Sequence, residues 1–189
     1  MTFNFNNSKK MALKKGDKSS IQGIDKPILK LCEKINNSNT YFTTSSCSGR
    51  IILIKDQEKK APGLFTFRSH KKTTFKELKE ALNKLIENKV QGTVLFKQEP
   101  CLVVVSCIDK DSQWELFSAA RNNGWKKSGI LSINKKRLLE LMASENMSFP
   151  IYKDEKILVN DEFLKIVLEK ANSNLEKGWK KIERLKKLI

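Results

Sequence analysis

The run Tyr41-Phe42-Thr43-Thr44-Ser45-Ser46-Cys47-Ser48-Gly49-Arg50, followed at once by Ile51-Ile52-Leu53-Ile54, constrains the fold more than any other part of this chain. Residues 41–44 and 50–54 favour β structure. The polar residues between them do not suit a core strand, because each buried hydroxyl would need a partner. They suit a tight loop. There Gly49 lets backbone approach a ligand closely, and N–H groups beside Ser45, Ser46 and Ser48 can line a pocket for an anion or polar group. The same composition also suits a Ser/Gly turn capped by its own hydroxyls. Spacing alone therefore gives a candidate site and no reaction.

Around this run, patterning predicts a mixture of helices and strands. Asp25 reads as an N-cap, and Pro27 fits the first helical turn, where a missing N–H costs little. Ile28, Leu31, Cys32 and Ile35 make one apolar face of a helix ending near Asn36. Strands are predicted at 64–68, 93–96, 102–107, 126–131, 138–142 and 157–159. Thr74 and Glu77 have capping-box spacing before a helix carrying Phe75, Leu78, Leu82, Leu85 and Ile86. A second box, Ser112 to Glu115, starts a helix carrying Trp114, Phe117 and Ala120, stopped at Asn123-Gly124. Asn160 caps a long last helix with Phe163, Ile166, Val167, Leu175, Trp179 and Ile182 inward. There is no regular βαβ rhythm and no G-x-G fingerprint, so the class is α+β with a mostly antiparallel sheet and not a Rossmann fold. The expected organisation is a loose tail over 1–10 and a single domain over 11–189.

The 189 residues carry 37 Lys+Arg against 21 Asp+Glu, a net charge of +16 with pI near 9.7. That balance points to a phosphate backbone as partner. No apolar run approaches the roughly 20 residues of a membrane helix, and no secretory h-region opens the chain. The four cysteines, Cys32, Cys47, Cys101 and Cys107, include no C-x-x-C pair, and His70 is the single histidine. On one strand, Cys101 and Cys107 would lie roughly 20 Å apart at about 3.3 Å per residue, too far for a disulfide. Reduced thiols of a cytoplasmic protein and no metal site are expected.

The 41–50 run closely resembles the signature of the tRNA wybutosine-synthesising protein 3 family. The resemblance runs from about Met11 to Ile189 through Asp17-Lys18-Ser19, Ile24-Asp25-Lys26-Pro27, Ser69-His70, Glu99-Pro100, Asn123-Gly124, Ser128-Gly129-Ile130 and Ile182-Glu183-Arg184-Leu185. The chain departs from the pattern at Ser20-Ile21-Gln22-Gly23, at Val104 and Ile108, where histidine and arginine are expected, and at Ala143 in place of arginine. The resemblance implies an S-adenosylmethionine-dependent methyltransferase. Its substrate would be ring nitrogen N4 of the wyosine tricyclic base, next to the anticodon of tRNA(Phe). A non-catalytic tRNA-binding relative is the alternative, and a hydrolase built on Cys47 is a distant third.

Methyl transfer to nitrogen asks a protein mainly to align two reactants, with a group nearby to take the proton. Asp25 and His70 are the proton-handling candidates, Asp25 carrying a cap reading as well. The cofactor is expected at Ser45, Ser46, Ser48 and Gly49 with Gly124, Ser128 and Gly129, where small residues and backbone amides are available. Lys18, Arg50 and Arg68 are the candidates for RNA contact, Arg50 as a bidentate fork.

Overall fold

A computed structural model describes residues 4–15, 24–57, 63–134 and 136–189. Lys18 and the 20–23 segment lie outside the described residues. In chain order the elements are α1 (Phe5–Lys15), α2 (Lys26–Asn37), β1 (Tyr41–Cys47), β2 (Arg50–Lys55), β3 (Phe65–Ser69), α3 (Phe75–Glu87), β4 (Thr93–Glu99) and β5 (Leu102–Cys107). There follow α4 (Lys110–Asn122), β6 (Gly129–Ile130), β7 (Leu138–Met142), β8 (Met147–Lys153), β9 (Lys156–Ile157) and α5 (Asp161–Leu188). The fold is α+β, and every strand pairing among the described residues is antiparallel.

The chain groups into two compact units that alternate along the sequence. Unit 1 takes residues 1–48, 100–144 and 177–189, and unit 2 takes 49–99 and 145–176. No composition break marks these passages, because each falls within a short turn or inside α5 rather than in a linker.

Unit 1 holds the sheet β1-β5-β7-β6. Its core joins Ile28, Leu31, Cys32 and Ile35 of α2 to Val103, Val105, Leu139, Leu141 and Trp125, with Ile182 and Leu185 from the end of α5. The predicted face of α2 is the buried one. Burying each such aliphatic chain contributes about 1.5–3 kcal/mol. The expected loose tail over 1–10 is instead helical from Phe5, which is buried with its ring 5.2 Å from that of Phe42. The Phe5 ring and a hydrogen bond from Lys9 Nζ to the Ser38 carbonyl dock this segment.

Unit 2 holds the sheet β3-β2-β4-β8-β9. Ile51, Ile52, Leu53, Val94, Phe96, Ile151 and Tyr152 are buried there, as are Leu78, Leu82 and Leu85 of α3. The Thr74–Glu77 capping box forms as the sequence predicts. β8 was not foreseen, and it contains Pro150, a residue that sheets tolerate only at edges or irregularities. It pairs with β4 beside a register irregularity at Val94/Leu95, and β9 reaches only Tyr152 and Lys153. Proline is tolerated at such a place because no ladder partner is required of its missing N–H.

Candidate active site

The predicted tight loop over 45–49 is mostly strand. β1 continues through Ser45 and Ser46 to Cys47, paired with Val104, Val103 and Leu102 of β5. Its register shifts between Thr43 and Ser45, leaving Thr44 exposed at the irregularity. Ser46 is buried, while Ser45 and Cys47 are half-buried. The hydroxyl-rich strand is satisfied because the main-chain ladder uses the backbone groups that a free loop would have offered to a ligand. The turn itself is Ser48-Gly49, where the chain leaves one sheet for the other. Gly49 is buried with φ 93°, a left-handed conformation that favours glycine.

Ser48 is fully buried and joins three segments of unit 1. Its N–H and Oγ both donate to Oδ2 of Asp25, at 2.8 and 3.1 Å. Its carbonyl accepts from Nε1 of Trp179 on α5, at 3.1 Å. Thus Asp25 itself is the anion held by the Ser48 amide. Asp25 is the N-cap residue of α2 by position, yet its side chain makes no capping hydrogen bond. Proline accounts for this. Pro27 at the second helical position has no N–H to offer, and the Ile28 N–H goes to the Asp25 carbonyl at 3.0 Å. The carboxylate is therefore turned toward Ser48.

A second group of motif residues follows α4. Gly124 has φ 93°, and a Cβ built on it would meet Cε of Lys181 at 3.0 Å. The aliphatic stem of Lys181 thus lies across the glycine, and its Nζ is 3.4 Å from Oγ of Ser144. Ser128 is buried, with Oγ donating to the Trp125 carbonyl at 2.7 Å and accepting from the Met142 N–H at 3.1 Å. Its hydroxyl is used to fasten the 125–128 turn to β7. Gly129 opens β6, opposite Glu140. Ala143, where the family pattern carries arginine, is fully buried, and the cation beside Ser144 comes from Lys181.

Unit 2 carries Arg50, Arg68 and His70. Arg50 Nε donates to Glu99 Oε2 at 2.6 Å, directly across the β2–β4 ladder. The guanidinium groups of Arg50 and Arg68 lie 5.3 and 5.9 Å from the ring centre of Phe65 on β3. That is cation–π range, and Phe65 is 40% exposed. β3 is an edge strand, and His70 follows its last residue. Ser69 Oγ donates to the Lys71 carbonyl and accepts from the Lys71 N–H, so a compact turn positions the half-buried imidazole.

Residues 6–189 match the family described as Methyltransferase TYW3. The chain belongs to this family. A relative in Thermococcus sibiricus, named tRNA(Phe) 7-((3-amino-3-carboxypropyl)-4-demethylwyosine(37)-N(4))-methyltransferase, is 31% identical over 96% of this chain and 92% of its own. A Methanocaldococcus jannaschii protein of the same name is 31% identical over 82% of this chain and 80% of its own. Among solved structures, the PH1069 protein of Pyrococcus horikoshii superposes with a TM-score of 0.85 at 30% identity, covering 97% and 93% of the two chains.

In this TYW3-family chain, the sequence pointed to Asp25, Ser48 and Gly124 but missed their partners Trp179 and Lys181. Trp179 was read as a core residue from its place on the apolar face of α5. Lys181 is one of many lysines, and nothing local distinguishes the one that crosses a glycine. Phe65, too, went unremarked, because a single phenylalanine in a strand reads as core.

Proposed function

We propose that this chain transfers a methyl group from S-adenosylmethionine to ring nitrogen N4 of the wyosine-type base beside the anticodon of tRNA(Phe). The observation that carries this reading is the family match over 6–189, joined to relatives that share the same printed activity over most of both chains. A net charge of +16 supports a polyanionic substrate. Among the described residues, no helix is long and apolar enough to cross a membrane.

The donor set on unit 1 fits the polar end of such a cofactor. Lys181, held over Gly124 and beside Ser144, is a cation suited to the amino-acid carboxylate, and the missing Cβ of Gly124 makes room for the lysine stem. Ser48 and Ser128 remain proposed cofactor contacts whose hydroxyls also fix their own turns. Ser45, Ser46, Gly49 and Gly129 remain proposed cofactor contacts through backbone and small side chains. S-adenosylmethionine, when bound, supplies an electrophilic methyl group.

Asp25 is the proton acceptor in this reading. Two hydrogen bonds from Ser48 lock Oδ2 and so fix the plane of the carboxylate. A carboxylate whose rotation is frozen can meet a ring N–H without reorganising. His70 carries the companion proposal of base contact or proton handling, and Arg50 and Arg68 with Phe65 that of RNA contact. His70→Ala should slow methylation and spare cofactor affinity.

Calorimetry with S-adenosylmethionine tests the cofactor half directly. Saturable binding that Lys181→Met weakens about tenfold is expected for loss of a charge-assisted contact. Intact tRNA binding with no cofactor binding would instead leave a non-catalytic tRNA-binding relative. The buried Ala143 in place of the pattern's arginine is the observation favouring that second reading.

A further inference from the structure

Trp114 on α4 is 61% exposed. Its ring packs on Phe117 at a centroid distance of 5.5 Å, and the Arg121 guanidinium lies 5.5 Å from the other ring of the pair, that of Phe117. Residues 114, 117 and 121 recur at helical spacing, so ring, ring and guanidinium share one stripe of α4. Phe117 also packs against the unit 1 core, which anchors the inner ring and leaves the indole outermost. Exposing so much tryptophan has a hydrophobic cost that nothing in the fold of unit 1 requires.

Basic residues bracket this stripe at both ends. At the start of α4, Arg137 Nη1 donates to the Ile108 carbonyl at 2.8 Å, and Lys136 adjoins it. Gln113 Nε2 holds the same segment through the carbonyls of Ser132 and Leu138, at 2.9 and 3.1 Å. At the far end, Arg121 Nη1 donates to the Lys126 carbonyl at 3.3 Å, placing the Lys126-Lys127 pair there. Lys110 and Lys126 are exposed. The 13 residues of α4 run about 20 Å at 1.5 Å each, the scale of a few nucleotides.

We propose that the Trp114 stripe of α4 is a stacking platform for unpaired nucleotides of the RNA substrate, with the flanking basic residues taking the backbone. Aromatic faces accept any base, and cations at the ends follow the phosphates. The charge selects this occupant over an apolar protein partner: around the helix Lys110, Arg121, Lys126, Lys127, Lys136 and Arg137 outnumber Asp109, Asp111 and Glu115, in a chain of net charge +16. The inference rests on the tRNA reading and adds a contact surface to it.

The experiment titrates the full chain with a single-stranded ten-nucleotide oligoadenylate, a ten-base-pair RNA duplex and tRNA, following tryptophan emission and anisotropy. Trp125 is fully buried and Trp179 is half-buried with its Nε1 bonded to the Ser48 carbonyl, so the stripe is read from the part of the oligoadenylate quenching that Trp114→Phe removes, which should be the larger part. Trp114→Phe should keep oligoadenylate affinity within about threefold, while Trp114→Ala should lose about ten- to a hundredfold. Duplex affinity should not change in either variant. Wild-type oligoadenylate affinity in Trp114→Ala, with tRNA still bound, would overturn the platform and leave the tRNA reading standing. So would a change in sedimentation of Trp114→Ala, which would make the stripe a contact between copies. If the wild type binds no RNA at all, both readings fall together.

Discussion

At the scale of single residues, Asp25 is the informative position because two substitutions separate its two roles. Asp25→Ala leaves the buried N–H and hydroxyl of Ser48 without this acceptor. That should cost about 1–3 kcal/mol, lowering the melting temperature by several degrees. Asp25→Asn keeps an acceptor oxygen and should melt close to wild type, yet an amide cannot take a proton. Methylation by Asp25→Asn should therefore fall on the order of a hundredfold, with cofactor affinity nearly unchanged. Normal turnover in Asp25→Asn would reduce Asp25 to a brace for the Ser48 turn. Lys181→Met is a second test at this scale, since methionine can still cover Gly124. It should raise the dissociation constant of S-adenosylmethionine and leave thermal stability alone. Equal loss of both would make Lys181 a packing residue.

At the scale of elements, α4 offers a test of how its start is set. The sequence places a capping box at Ser112–Glu115, but the helix begins two residues before Ser112, at Lys110, with Asp109 as N-cap. Asp109 Oδ1 accepts from the N–H and Oγ of Ser112, at 2.8 and 2.6 Å. These bonds hold the Asp109 carboxyl below its ordinary range. A depressed folded-state pKa gives stability that is present above the unfolded value and lost as pH falls through the folded one. Asp109→Ala should cost about 0.5–2 kcal/mol near neutrality. Melting curves should show that gap shrink below roughly pH 4, as the wild-type carboxyl protonates. A gap independent of pH would mean that the charge contributes nothing to the cap.

The same helix shows what could be read from sequence and what could not. The apolar faces of α2 and α3 were legible because four buried residues in each recur at helical spacing. On α4 the exposed Trp114 and the buried Leu116 show that size alone does not mark the inner face, and on α5 Phe163 and Ile166, expected inward, are exposed, whereas Leu164, Leu168 and Ala171 are buried. A long amphipathic helix offers neighbouring stripes of similar hydrophobicity, and tertiary packing decides between them. β1 was cut short for the opposite reason. Its serines look like loop, but sheet pairing satisfies the backbone and extends the strand to Cys47. The candidate Ser48 came from the composition of the 45–49 run, and Asp25 and Gly124 from cap and turn chemistry together with the resemblance, while Trp179 and Lys181 required knowing where α5 runs.

At the scale of the whole molecule, charge governs how the protein meets its substrate. A basic surface that neutralises about four phosphates should give log affinity for tRNA against log salt with a slope near −3. Filter binding between low and physiological salt would measure it, and a flat response would contradict an electrostatic RNA surface. The central claim concerns chemistry, and one assay addresses it most directly. The purified full chain is incubated with methyl-labelled S-adenosylmethionine and tRNA(Phe) bearing the demethylated tricycle, bare or with its aminocarboxypropyl chain. The tRNA nucleosides are then resolved by mass spectrometry. Label should appear on the tricyclic base, at N4, with one of the two substrates, and tRNA carrying unmodified guanosine should take up none. Binding of both cofactor and tRNA without transfer to either tricycle would contradict the account.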